Sequence, residues 1–231
     1  MSKILFVLTG ADRWTLADGT PHPTGYWAEE FVVPYRAVTA AGHQVVVATP
    51  GGVLPPVDRA SLAPEANGGR ERAEEIARAV EEIAELREPV KLADVDLGDY
   101  AAVFYPGGHG PMEDLAEDAD SGRLLVDTLA SGKPLAVVCH GPAALLAAVR
   151  DDGANAFAGY RAAAFTNEEE TQGGLAGRAK WLLQDRLTRA GVDVRPAGPW
   201  APHVVVDRNL ITGQNPASSA PVAEELLLRL G

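Results

Sequence analysis

The only cysteine of the chain lies where a strand pattern changes abruptly into a helix pattern. Leu135–Val138 is a short apolar run typical of a buried strand, and Cys139 and His140 follow it directly, before a glycine and a proline. Such a turn exposes the residue at the bend above the carboxyl edge of a sheet. Amides that open a helix favour a thiolate and can stabilise an oxyanion. We therefore interpret Cys139 as a nucleophile, although most free cysteines are small buried apolar residues.

A glycine-rich turn could supply donors for the oxyanion that such a nucleophile creates. The sequence Pro-Gly-Gly-His-Gly follows the apolar run Ala101–Tyr105. No side chain obstructs the N–H groups of Gly107 and Gly108, so this turn predicts an oxyanion site, the alternative being a simple tight turn. His22 and His109 are candidate pocket residues. Each is more often structural than a metal ligand, and their spacing matches no metal site.

Two groups of carboxylates could move protons for the cysteine. Glu29 and Glu30 lie among aromatic residues, where burial would raise the pKa of a carboxyl and keep it protonated beside a thiolate. A second acidic segment, Glu168 to Glu170, follows the next strand pattern, and such clusters are most often solvated. His140 could contact a carboxylate of another loop instead of the sulfur.

Strand and helix patterns alternate along the chain. Apolar runs of the kind that are buried on both faces, separated by helices, predict an α/β fold with a mostly parallel, doubly wound sheet. Its site would lie at the carboxyl ends of the strands, where Cys139 and the glycine turn both fall. The predicted strands are Ile4–Leu8, Gln44–Thr49, Ala101–Tyr105, Leu135–Val138, Tyr160–Phe165, Val192–Val194, His203–Val206 and Leu210–Thr212. The predicted helices are Trp27–Ala41, Glu71–Leu86, Ala143–Ala148, Arg178–Ala190 and a last one ending near Leu230, with helix-type sequence also before Ala130.

One segment interrupts this alternation. Residues 53–90 combine a Pro- and Gly-rich stretch with an amphipathic helix pattern. We expect an inserted cap over one end of the sheet, within a single domain of residues 1–231. Pro34 should kink the first helix or end its first part. The irregular segment Gly10–Gly25 is long for a loop in a compact domain, and such loops are often functional.

Composition excludes several classes of protein. The 231 residues carry a net charge of −12, which argues against a nucleic-acid partner. One cysteine permits no internal disulfide, so we expect a reducing, cytoplasmic setting. The start of the chain reads as a strand rather than a signal peptide. No apolar run approaches the length that spans a bilayer, so no membrane partner is expected.

The chain resembles a known superfamily at these residues. The segments AVVCHGPAALL, FYPGGHG, TGYWAEEFVVPY and GPWAPHVVVDRNLITGQNPASS are similar to the PfpI-like (class I glutamine amidotransferase-like) superfamily, and within it to the heat-shock chaperone and glyoxalase III branch. The resemblance covers nearly the whole chain, including the insertion. It implies a flavodoxin-like α/β sandwich, often a homodimer, that uses no cofactor and no metal.

The resemblance also implies roles for the nucleophile and its oxyanion donors. Cys139 matches the family's nucleophile, and His140 matches the histidine that follows it. Gly108 and His140 match the backbone groups that bind the oxyanion. His109 adjoins these donors and is expected to contact the substrate.

Two carboxylates complete the implied site. The family's acid precedes a proline of the first helix by four residues, which selects Glu30 over Glu29. The third member of the family's Cys–His–acid triad corresponds to Glu170, with Glu168 and Glu169 as alternatives.

The activity implied is that of glyoxalase III, a lyase also called lactate dehydratase. The Cys139 thiolate would add to the aldehyde of methylglyoxal, and Glu30 would shuttle a proton between adjacent carbons through an enediol. Hydrolysis would release lactate without glutathione. His140, oriented by Glu170, would assist proton transfer. The expected partner is therefore a small reactive aldehyde.

Three alternatives stay open at this point. The same thiol could serve an amidase or peptidase. It could remove early glycation adducts from proteins. The chain could instead be a holdase chaperone or an oxidative-stress sensor in which Cys139 oxidises to a sulfinic acid.

Overall fold

A seven-stranded sheet forms the centre of the computed structural model, which describes residues 1–231. Its elements alternate much as the sequence predicts. The strands are β1 (Lys3–Val7), β2 (Arg13–Thr15), β3 (Pro21–Pro23), β4 (Gln44–Thr49), β5 (Val90–Lys91), β6 (Ala102–Tyr105), β7 (Leu135–Val138), β8 (Arg161–Ala162), β9 (Asp193–Val194), β10 (Val204–Asp207) and β11 (Leu210–Gly213). The helices are α1 (Ala28–Ala40), α2 (Arg70–Glu82), α3 (Ala119–Ser131), α4 (Asn167–Gln172), α5 (Leu183–Arg189) and α6 (Ser219–Leu230).

The sheet has the order β10-β11-β7-β6-β1-β4-β5, and every pair is parallel except β10 with β11. The predicted mostly parallel, doubly wound α/β fold is confirmed. Strand β1 lies between β4 and β6, so the chain leaves the centre first in one direction and then in the other. Such a reversal opens a crevice at the carboxyl edge of the sheet.

The core explains why the strands read as continuous apolar runs. Every residue from Ile4 to Leu8 is fully buried, because helices cover both faces of the sheet. Helices α1 and α6 pack against each other, whereas α3 and α5 both pack against the segment Gly141–Ala147. None of the helices has the length and hydrophobicity needed to cross a bilayer.

Helix α1 continues through Pro34, so the proline does not end it. A proline removes one hydrogen bond of the helical ladder. Buried side chains on both sides of it, among them Phe31 and Val38, hold the helix against the core. At the start of α1, the Ala28 N–H donates to Ser61 Oγ at 3.0 Å, which satisfies a group with no partner inside the helix.

Residues 53–90, predicted to be an inserted cap, border the carboxyl edge of the sheet. The Tyr26 N–H donates to the Pro56 carbonyl at 2.8 Å, and the Asp58 N–H donates back to the Tyr26 carbonyl at 2.9 Å. Helix α2 packs against α1 through a buried face that includes Ile76. It ends at Glu82, before the predicted end, because a 3-10 turn replaces its last part.

The segment Gly10–Gly25, predicted to be irregular, contains the hairpin β2–β3. Trp14 pairs with His22 across this hairpin. Trp14 is only 1 % exposed. Burial of a large indole is a strong local driving force, and a count of turn residues does not reveal it.

The predicted strand Tyr160–Phe165 is wrong in extent and placement. Only β8 forms, and it pairs with β9 in a separate two-stranded sheet. The following N–H groups find other acceptors. The Ala163 N–H donates to Thr212 Oγ1 at 2.8 Å, and the Phe165 N–H donates to the Cys139 carbonyl at 2.9 Å. Because of these bonds, the chain crosses over the cysteine turn and does not continue as a strand paired with a neighbour.

The predicted helix Ala143–Ala148 is a 3-10 segment, Gly141–Ala147. The helix predicted over Arg178–Ala190 is likewise shorter and starts at Leu183. Asn155 Nδ2 donates to the Leu145 carbonyl at 2.7 Å and closes the end of the 3-10 segment. A short 3-10 segment aligns fewer amides than a long α-helix, so it supports a negative charge at the turn less strongly.

Candidate active site

Cys139 occupies a left-handed backbone conformation, with φ of 61°. This conformation costs a non-glycine residue about 1–2 kcal/mol. Two backbone hydrogen bonds hold it: the Cys139 N–H donates to Gly213 at 2.9 Å, and its carbonyl accepts from Phe165. The sulfur lies at the wall of a cavity although the residue is only 4 % exposed. Strain at such a turn is typical of functional sites.

His140 contacts both the sulfur and a carboxylate. Its Nδ1 lies 3.4 Å from Cys139 Sγ, and its Nε2 lies 2.7 Å from Glu170 Oε2. The carboxylate can only accept, so Nε2 carries the proton and Nδ1 is free to accept from the thiol. Burial and the neighbouring His109 lower the pKa of His140, which favours the neutral ring. The arrangement makes His140 a base for the sulfur.

Glu170 accepts hydrogen bonds from two histidines, His140 and His109. Its second oxygen, Oε1, accepts from His109 Nε2 at 2.8 Å. Burial acts to raise the pKa of Glu170, but the charge and the N–H donors of His140 and His109 outweigh it and hold the pKa well below its usual value. The structure thus places an ionised carboxylate that orients both rings.

The two neighbouring glutamates have other surroundings. Glu169 is buried and accepts hydrogen bonds from Thr166, Trp200 and Asn215, which ties α4 to the loop before β10. Glu168 is exposed on α4. Of the three candidates in the acidic cluster, only Glu170 contacts His140.

Glu30 is completely buried at the base of the site. Its Oε2 accepts from the Gly107 N–H at 2.6 Å, and its Oε1 has no conventional hydrogen-bond partner. Burial raises the pKa of Glu30 to about 8, although the Cys139 thiol and the Gly107 N–H act against it. The carboxyl is therefore protonated at neutral pH. Glu29 is half-buried and lines a different cavity.

The sulfur shares this low-polarity environment. Burial, followed by the Glu30 charge, raises the pKa of the Cys139 thiol well above its usual value. The predicted thiolate is thus not favoured, because burial outweighs the amides of the turn. Since each negative charge opposes the other, Cys139 and Glu30 share at least one proton at neutral pH.

The two N–H groups of the glycine turn, those of Gly107 and Gly108, have different partners. Gly107 is occupied by Glu30, whereas the Gly108 N–H is directed at Cys139 and acts to lower the pKa of the thiol. Neither Gly108 nor His140 donates its N–H to a backbone carbonyl. Gly108 has φ of 86°, and a Cβ there would lie 2.3 Å from the Gly25 carbonyl. The glycine turn therefore lies close against the segment that precedes α1.

The cavity beside Cys139 has a volume of about 310 Å³. His22 and His109 belong to one wall, and Trp14 stacks on His109 with ring centroids 4.9 Å apart. Several lining residues were not predicted from the sequence, among them Asp58, Phe165 and Trp200. They come from three separate segments. The only available signal was the Gly-Pro-Trp stretch, to which no role was assigned.

Three possible metal ligands also meet here. Ligand atoms of His109, His140 and Glu170 all lie within 4.8 Å of one another. Both carboxylate oxygens and both Nε2 atoms already satisfy each other in hydrogen bonds. The site is therefore complete as a hydrogen-bonded group.

Comparison with known proteins points to one family. The model of the DJ-1/PfpI family matches residues 23–228. The protein/nucleic acid deglycase HchA of Staphylococcus aureus (strain MSSA476) is 31% identical over 229 residues, which cover 94% of this chain and 76% of the relative.

Solved structures agree with this assignment. The glyoxalase III of Candida albicans superposes with a TM-score of 0.81 and 25% identity over 99% of this chain and 97% of that one. The Rapid Encystment Protein 24 KDa of Francisella tularensis superposes with a TM-score of 0.87 and 26% identity, with 100% of both chains covered.

Proposed function

The chain belongs to the DJ-1/PfpI family, and from that premise we propose that it is a glutathione-independent glyoxalase that converts methylglyoxal to lactate. The observation that carries this proposal is the pairing of two proton carriers with one sulfur. His140, backed by Glu170, lies 3.4 Å from Sγ, and the protonated Glu30 lies beside the same thiol. A likeness to one enzyme called a deglycase and to another called glyoxalase III supports the same class of chemistry.

The first step is addition of the sulfur to the aldehyde carbon. A C–S bond forms as the carbonyl π bond breaks. Nδ1 of His140 takes the thiol proton, and Glu30 gives its own proton to the aldehyde oxygen. The N–H groups of Gly108 and His140 stabilise the negative charge that develops on this oxygen. The product is a hemithioacetal, and Glu30 is left ionised.

The second step moves a proton between carbons. The ionised Glu30 is a strong base because its buried site disfavours the charge. It removes the proton from the carbon bonded to sulfur while His140 passes the former thiol proton to the ketone oxygen, which gives an enediol. Glu30 then gives its proton to the adjacent carbon and takes the hydroxyl proton from the carbon bonded to sulfur, which converts the enediol into a thioester.

The third step is hydrolysis. His140 takes a proton from water with Nδ1, and Glu170 keeps the opposite nitrogen protonated throughout. The resulting hydroxide adds to the thioester, the C–S bond breaks, and the thiol recovers its proton as lactate leaves. Methylglyoxal and one water thus yield lactate with no other reactant.

The direct test is lactate formation from methylglyoxal in the absence of glutathione, with Cys139→Ala as the control. We expect lactate from the wild type and none from the variant. Loss of methylglyoxal without lactate would indicate thiol scavenging and contradict the proposal. Lactate formed equally by both proteins would remove Cys139 from the mechanism.

Removal of early aldehyde adducts is a second candidate function. The specific observation that favours it is a second cavity next to the catalytic one, lined in part by the same residues. Free methylglyoxal does not need this additional space. The hemithioacetal would be common to both reactions, so the two differ only in how it is formed.

A further inference from the structure

We propose that Trp14, on the hairpin β2–β3, is a positioning residue for His140, and that it acts through His109 and the carboxylate that the two histidines share. The hairpin would then support the reaction through a side chain that never contacts the substrate. This inference rests on the role proposed for His140 and adds a residue on which that role depends.

Five aromatic rings contact one another in a row through the site. The ring centroids of Trp14 and His109 lie 4.9 Å apart, and those of His109 and His140 lie 4.1 Å apart. Phe165 lies 4.3 Å from His140, and Trp200 lies 5.6 Å from Phe165. Each histidine ring therefore contacts two other rings of the row.

Hydrogen bonds alone leave the two histidines free to turn. His140 and His109 each donate from Nε2 to Glu170, at 2.7 and 2.8 Å. A ring held at one nitrogen can still rotate about that bond, and rotation of His140 would move Nδ1 away from Sγ, which lies 3.4 Å from it. Packing against the rings restricts this rotation, because a functional side chain keeps its geometry only when its neighbours lock its rotamer.

The contact of Trp14 with His109 is the most nearly parallel in the row. The two ring planes differ by 14°, whereas the other planes in the row differ by 33° or more. Trp14 is buried, and it does not line the cavity beside Cys139, whereas His109 does. Trp14 can therefore influence the reaction only through the residues that it holds in place.

Hydrogen bonds fasten the hairpin to the segment that follows the glycine turn. The Thr15 N–H and Oγ1 both donate to the Glu113 carboxylate, at 2.8 and 2.6 Å. Before the hairpin, the Gly10 N–H donates to Asp114 Oδ2 at 2.8 Å. Both acids closely follow His109 in the sequence. These bonds fix the indole relative to the imidazole on which it stacks.

A purely structural role for Trp14 is the alternative. A buried indole contributes strongly to any core, so its loss lowers stability whether or not it positions a histidine. The two roles differ in what happens at the site. A core residue changes stability alone, whereas a positioning residue also changes the state of the histidine rings and the rate of the reaction.

The first test observes the rings by NMR without any substrate. Two-bond ¹⁵N–¹H spectra at about pH 8, above the ordinary pKa of histidine, report which ring nitrogen of each histidine is protonated. In the wild type we expect His109 and His140 to be Nε2–H tautomers only, since each donates to a carboxylate. In Trp14→Leu we expect at least about a tenth of His109 to become the Nδ1–H tautomer. Trp14→Phe keeps an aromatic face and should restore the single tautomer.

The matched control is Phe157→Leu. Phe157 is also a fully buried aromatic residue, it lies outside the cavity beside Cys139, and its ring contacts Tyr160 at 5.6 Å. This variant should lose stability, as Trp14→Leu does, and should keep both the wild-type tautomers and the wild-type kcat.

The second test measures lactate formation at a temperature at which every variant is folded. Displacement of a catalytic group by a fraction of an ångström lowers the rate without weakening binding. We therefore expect Trp14→Leu to lower kcat by about 10- to 100-fold and to change KM by less than about twofold. Trp14→Phe should recover most of the lost kcat.

Glu113→Ala provides the test if Trp14→Leu does not fold. Glu113 is exposed, and its loss removes both bonds that hold Thr15. The hairpin should then move more freely against the glycine turn. The same changes in tautomer and kcat are expected, to a smaller degree.

A single His109 tautomer in Trp14→Leu, or a kcat no lower than that of Phe157→Leu, would overturn the inference. If the tautomer responds but the wild type forms no lactate, the proposed function fails and the positioning role stands. If the wild type forms lactate but Trp14→Leu changes neither tautomer nor kcat, the positioning role fails and the function stands.

Discussion

Glu30 and Glu170 are both buried beside the same cysteine and histidine, yet their pKa values shift in opposite directions. Burial dominates at Glu30, where a single backbone N–H accompanies the contact with the thiol. At Glu170, the charge of His140 and the N–H donors of His109 and His140 outweigh burial and lower the pKa. One carboxyl is therefore kept as an acid and the other as a carboxylate, which matches the separate tasks proposed for them.

Substitution of Glu30 by Gln should remove the proton shuttle while keeping the fold. The glutamine oxygen can still accept from the Gly107 N–H, but the side chain cannot take a proton from carbon. We expect kcat for lactate formation to fall by about 10²- to 10⁴-fold with little change in the temperature of unfolding. Full activity in this variant would contradict the proposed mechanism.

Glu170 and Glu169 should respond differently to the same change. Glu170→Gln removes the charge that orients His140, so we expect a large loss of kcat with modest loss of stability. Glu169→Gln turns an amide donor towards other donors in a buried network and should cost about 1–3 kcal/mol of stability. Chemical denaturation and lactate assays on both variants would separate the two roles. The reverse pattern would place the catalytic carboxylate at Glu169.

At the scale of elements, two turns and one helix from distant parts of the chain form the site. The cysteine turn follows β7, the glycine turn follows β6, and α1 brings Glu30 against both. The Trp27 N–H donates to the Gly107 carbonyl at 3.0 Å and joins the start of α1 to the glycine turn. The separation of these elements is therefore set by backbone contacts, which leave little room for added atoms.

Gly108→Ala tests this close approach. The new Cβ would lie 2.3 Å from the Gly25 carbonyl and 2.8 Å from the Trp27 nitrogen, so the turn must move away from α1. Gly132 is a suitable control, because its φ is 71° and nothing lies within 4 Å of an added Cβ. We expect Gly132→Ala to cost about 1–2 kcal/mol from backbone strain alone. Gly108→Ala should cost clearly more and should also lower kcat/KM. If Gly108→Ala and Gly132→Ala lose the same stability in urea, the glycine turn does not pack tightly against the start of α1.

At the scale of the whole molecule, buried acids couple folding to pH. The folded state holds the Glu30 proton up to about pH 8, whereas a carboxyl of the unfolded chain loses it near 4.5. Between these values the folded state binds more protons, so the free energy of unfolding falls as pH rises. Glu170 acts in the opposite sense, because its lowered pKa removes stability only as pH falls below about 4.5.

Denaturation between pH 5 and pH 8 would measure the first effect. The wild type should lose stability relative to Glu30→Gln by up to about 1.4 kcal/mol per pH unit, since the variant has no proton to lose at this position. Parallel stability curves for the two proteins would contradict the raised pKa of Glu30. Activity of the wild type should fall above about pH 8 for the same reason, because the shared proton is then lost.

Local sequence was sufficient to predict much of the molecule. The apolar runs predicted the central strands and the doubly wound fold, because strands covered on both faces must be apolar throughout. The abrupt change of pattern at Cys139 indicated a candidate nucleophile, and the resemblance to a known family selected Glu30 as its acid by the spacing from Pro34. These signals are local, and each depends on a few adjacent residues.

Tertiary structure decided how those residues are used. No spacing in the sequence distinguishes Glu170 from Glu169, and only the packing of α4 directs one towards His140 and the other towards Trp200. The hairpin β2–β3 and the short β8 likewise depend on distant partners. Trp27 and Trp200, which are far apart in the chain, line the same two neighbouring cavities. Protonation states follow from burial, and burial exists only once the chain has folded.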